Sequence, residues 1–68
     1  MSDIFLPANQ VWLGFDADGR CIAASIERRK PSLRKGSVMD GCAEVLLCRF
    51  SSGQSVFGLK RNEVEVLK

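Results

Sequence analysis

The apolar residues of this chain come only in short runs of four to eight residues, each stopped by Gly, Asp or Ser. No stretch keeps the 3.6-residue spacing of an amphipathic helix, whereas alternation and strand-length runs recur, so the chain reads as β-strands joined by tight turns. In "QVWLGF" (10–15), Val11, Leu13 and Phe15 fall on one face and Trp12 and Gly14 on the other. Asp16-Ala17-Asp18-Gly19 follows, a turn whose last residue suits the left-handed region, and "RCIAASI" (20–26) completes a hairpin. The run "AEVLLCRF" (43–50) is the most apolar and is expected to be central. After a second turn at 51–54 come "SVFGL" (55–59), one helical or 3₁₀ turn at 60–63, and "VEVL" (64–67). Gly58 signals a bend or bulge in the fourth of these runs. Five short antiparallel strands in so short a chain point to a small curled barrel.

Length limits what such a fold can do. A 68-residue chain makes one domain, here 1–68 with an N-terminal tail at 1–9, and its core supplies only about 3–5 kcal/mol of net stability. A groove on the surface, or a site shared between subunits, is expected in place of a deep pocket. Residues 27–42 form a segment too long for a simple connection in a domain this small, and 37–40 suggest a short extra strand or a turn.

Three cysteines and no histidine argue against a disulfide framework and leave no ordinary zinc set. Cys21 and Cys48 lie in apolar runs and read as small buried hydrophobes, and Cys42 is the most exposed thiol but has no evident base. Asp16 and Asp18 are read as turn formers rather than cation ligands. No metal, cofactor or catalytic residue is expected, and the chain is expected not to be an enzyme. Free cysteines, the lack of a secretory pattern in "MSDIFLPANQ" and the lack of a span of about 20 apolar residues predict a cytoplasmic protein with no membrane partner.

Net charge is only +2, but its distribution is uneven. The stretch "RRKPSLRK" (28–35) holds Arg28, Arg29, Lys30, Arg34 and Lys35 with no acid. Five of the ten basic residues and none of the eight acidic ones fall there, which leaves the rest of the chain at a net −3.

The succession of Phe15, "DADG", Ile22-Ala23-Ala24-Ser25-Ile26, then Phe50 at the end of "LLCRF" and "LKRNEVEVL" at the end of the chain resembles an SH3-like barrel, most of all a Tudor-type domain. The resemblance implies an all-β, five-stranded antiparallel barrel with a long basic loop between its second and third strands. It also implies a ligand-facing aromatic edge at Phe15 and Phe50. The aromatic cage of methylated-ligand readers is incomplete here, because Ile22 and Gly53 stand where rings are expected and Ser55 where an Asn often closes the cage. A weaker similarity links "SVFGLKRNEVEVL" to the type II dihydrofolate reductases, which are also small barrels. There Phe57-Gly58-Leu59 replaces the polar segment that would orient folate and nicotinamide, so no reductase is expected.

The expected function is a non-catalytic binding module. Arg28, Arg29, Lys30, Arg34 and Lys35 would recognise nucleic acid or an anionic protein surface, and Phe15 and Phe50 would offer an aromatic rim. The alternative is a protein-interaction or self-assembling, homo-oligomeric domain. It would use an outer apolar patch of Trp12, Val45 and Leu47, unless "IFLP" (4–7) folds back over that patch.

Overall fold

A computed structural model of the chain describes residues 4–51, 53 and 55–67. Four strands, β1 (Gln10–Phe15), β2 (Cys21–Ser25), β3 (Glu44–Arg49) and β4 (Glu65–Val66), form one antiparallel sheet in the order β2-β1-β3-β4. A single 3₁₀ turn, Arg61–Glu63, precedes β4, as the sequence led us to expect. The two most apolar runs, β1 and β3, take the interior positions, and the two-residue β4 closes one edge.

The β1–β2 hairpin shows why "DADG" turns. Gly19 N–H donates to Asp16 O at 3.0 Å and Gly19 takes φ 84°. The Asp16 carboxylate accepts from the N–H groups of Asp18 (2.9 Å) and Arg20 (3.0 Å), so one side chain satisfies two turn donors. The extra residue is absorbed as a register shift at Gly14/Phe15.

Two expectations are corrected. The sheet has four strands, not five, and it is open rather than a closed barrel. The expected strand at 55–59 is broken by its glycine. Gly58 adopts φ 87°, and Leu59 N–H bonds back to Val56 O at 3.3 Å, which is a turn and cannot continue a ladder. This segment nevertheless meets the start of β2. Cys21 N–H donates to Leu59 O (2.8 Å), Gly58 N–H donates to Cys21 O (2.9 Å), and Arg20 bridges Lys60. The turn expected at 51–54 falls partly outside the described residues.

Pairing of Val11 with Cys48 and of Leu13 with Leu46 assembles one apolar face. Val11, Leu13, Phe15, Cys21 and Cys48 form its buried cluster, with Ala24, Leu46, Phe50, Val56 and Val64 packed around it. The opposite face carries Trp12 paired with Leu47 and Gly14 paired with Val45. The end of the long 27–42 segment, at Met39 and Cys42, packs onto that second face. Met39 is fully buried, and an atom placed at the missing Cβ of Gly14 would lie 2.6 Å from Met39 Sδ and closer still to Cys42 Sγ. A segment can cover a sheet in this way only if its own polar backbone is paired. Here Ser37, Asp40 and Cys42 N–H donate to Arg34, Ser37 and Met39 O, and Gly36 N–H donates to the Asp40 carboxylate at 3.0 Å. Residues 37–40 are therefore turns, not a strand.

Candidate nucleic-acid interface

Beyond β2 the chain is held by residues 4–6 before it enters the long segment. Leu6 N–H donates to Ile26 O (2.7 Å), Arg28 N–H donates to Ile4 O (2.9 Å), and Phe5 bridges Glu27 in antiparallel fashion. Part of the expected N-terminal tail is thus strand-like, and it sets Ile4 and Phe5 beside Arg28 and Arg29. Together with Glu27 these residues line a surface groove.

Arg28, Arg29 and Lys30 are exposed, as are Arg34 and Lys35 farther along. The second pair belongs to a separately braced turn. Arg34 N–H donates to Ser32 Oγ at 3.0 Å, and Ser37 Oγ donates to Arg34 O at 2.6 Å. Ion pairs among the described residues join Arg49 to Glu65 (3.6 Å) and Arg61 to Glu44 (3.3 Å), and none engages the five cations of 28–35. Their charge is therefore not neutralised by the described part of the chain. Arg28 and Arg29 reach the groove, whereas Lys30, Arg34 and Lys35 are not among its lining residues.

The aromatic edge is corrected. Phe15 is 0% exposed and forms the centre of the core, so its ring is not available to a ligand. Phe50 is half-buried and packs against the same cluster. The misleading signal is the Tudor-type resemblance, whereas alternation places Phe15 on the face of Val11 and Leu13, which is the core face. The exposed rings are Phe5 and Phe57. Phe5 could have been singled out from "IFLP", an apolar segment too short to make a core element.

The outer patch is also corrected. Trp12, Val45 and Leu47 do share one face, but Val45 is only 5% exposed, and its neighbour Gly14 lies under the Met39–Cys42 turn. Trp12 and Leu47 are half-buried, and Trp12 Nε1 is buried without a hydrogen-bond partner among the described residues. "IFLP" does not leave its apolar side chains hidden: Ile4 and Phe5 are exposed.

All three cysteines are free, and burial raises each thiol's pKa. Cys48 is pushed up to about 11 by desolvation, with the neighbouring Cys21 adding to the effect. For Cys42, burial is reinforced by Asp16 and Asp40. These are thiols held protonated, the opposite of an activated nucleophile. No group of three metal-ligating side chains occurs among the described residues, and no helix among them is long and apolar enough to cross a membrane. No protein-family model, curated protein or solved structure matches the chain, so its kinship rests on no comparison.

Proposed function

We propose that this chain is a non-catalytic binding module that recognises nucleic acid or another anionic partner through residues 28–35. One observation carries the reading: five exposed cations with no acid among them, none ion-paired to a described residue. Unpaired surface cations release counterions when they meet a phosphate chain, which makes such binding favourable and salt-dependent. The Tudor-like, SH3-related kinship belongs to the same proposal. It is supported by the hairpin, the long loop before β3 and the 3₁₀ turn before β4. Burial of Val45 weighs against self-assembly through the Trp12 face.

The test is the salt dependence of binding to a labelled duplex. Five engaged cations give a slope of about −4.5 in log affinity against log salt. The triple variant Arg28→Ala, Arg29→Ala, Lys30→Ala should bind more weakly with a flatter slope and keep its unfolding midpoint. Unchanged affinity in that variant would remove the assigned role.

A further inference from the structure

Resting on the anionic-partner reading, we infer that the groove between residues 4–5 and 27–29 is a single-strand nucleic-acid site in which Phe5 stacks on an unpaired base while Arg28 and Arg29 hold the flanking phosphates. Three observations meet there. Ile4 is 68% and Phe5 43% exposed in a chain whose described core has only seven buried apolar side chains, so leaving these two in water is a real loss of burial. Backbone bonds at both ends of the bridge fix them in place. The same groove carries two guanidinium groups that form no ion pair with a described carboxylate.

The groove's chemistry selects the occupant. An apolar ring beside cations suits a ligand with alternating flat apolar faces and anions, which describes a single strand. A duplex hides its base faces. A flat bilayer meets a concave groove poorly. Glu27, which also lines the groove, repels phosphate and so directs the backbone towards the arginines, leaving its carboxylate as an acceptor for a base N–H, such as the ring N3–H of thymine.

The test is fluorescence anisotropy with a labelled oligothymidylate and a duplex of equal charge, using wild type, Phe5→Leu, Phe5→Trp and the 28–30 triple variant. Leu keeps an apolar lining without a stacking face, and Trp keeps the face. The expected result is a loss of about fivefold or more for Phe5→Leu on the single strand, little change on the duplex, and full retention by Phe5→Trp. The salt slope of Phe5→Leu should match wild type, because no phosphate contact has been removed. Equal single-strand affinity in Phe5→Leu, with a loss in the triple variant, overturns the stacking site and leaves the anionic-partner reading standing. Wild-type binding to neither nucleic acid overturns both for nucleic acid. Partition onto phosphatidylserine vesicles in that case would assign the groove to a membrane surface instead.

Discussion

Replacing Gly14 with alanine tests whether the long segment is packed on the sheet. Gly14 is the fifth of the six residues of β1, and a Cβ there would press against Cys42 Sγ, sit 2.6 Å from Met39 Sδ and 3.3 Å from Cys42 Cβ. Ordinary carbon contacts lie near 3.5–4.0 Å, so the two sulfur-bearing side chains must retreat by about 1 Å. Alanine gains about 0.5–1 kcal/mol over glycine in a strand, and overpacking a filled site costs about 1–3 kcal/mol, so the steric term wins. The midpoints of the two ranges leave a net loss of about 1 kcal/mol, a large share of a total near 3–5 kcal/mol. It should lower Tm by about 4–8 °C. Urea unfolding followed by Trp12, the chain's one tryptophan, measures it directly. Cys42→Ala removes the nearest sulfur at a half-buried position, so the double variant should lose at least about 0.5 kcal/mol less than the sum of the singles. A Gly14→Ala protein as stable as wild type, or strict additivity with Cys42→Ala, would refute the packing of the Met39–Cys42 turn on β1.

Two further outcomes are expected. Because burial raises the Cys48 pKa from 9.0 to about 11, the folded state holds its proton where the unfolded chain has lost it. The stability this contributes is present below about pH 9 and falls as pH rises towards 11, on the order of 2 kcal/mol, with Cys21 acting in the same direction. Urea midpoints measured across that range should fall in wild type and less steeply in Cys48→Ala, whose midpoint is lower throughout. A flat profile in wild type would show the thiol to be solvated. In the first hairpin, Asp16→Ala removes the acceptor of two turn bonds and should cost about 1–2 kcal/mol, whereas Asp16→Asn keeps a side-chain oxygen and should recover at least half. Equal midpoints for the two variants would show that the carboxylate charge, not the turn geometry, matters.

Local chemistry made much of the sheet legible. The hairpin at 16–19 was readable because aspartate and glycine each satisfy a specific turn requirement within a few residues. β1 and β3 were readable because their apolar residues are dense enough to demand the interior. The fifth strand was misread because Gly58 is compatible with either a bulge or a turn, and the choice depends on bonds from Cys21, far away in sequence. The site divided in the same manner. The basic cluster is contiguous and visible at once, whereas Phe5 joins it only through pairing with Glu27.

The sequence by itself determined an all-β sheet, its first hairpin, the 3₁₀ turn and the asymmetry of charge, since each follows from neighbours along the chain. Tertiary structure alone decided that Phe5 is a surface aromatic beside the basic residues, that Gly14 lies beneath Met39 and Cys42, and that the sheet stays open. Alternation names two faces for a strand but cannot say what covers each one. That depends on where a sixteen-residue segment comes to rest, and its far end rests where a buried methionine and Cys42 meet the space left by one missing Cβ.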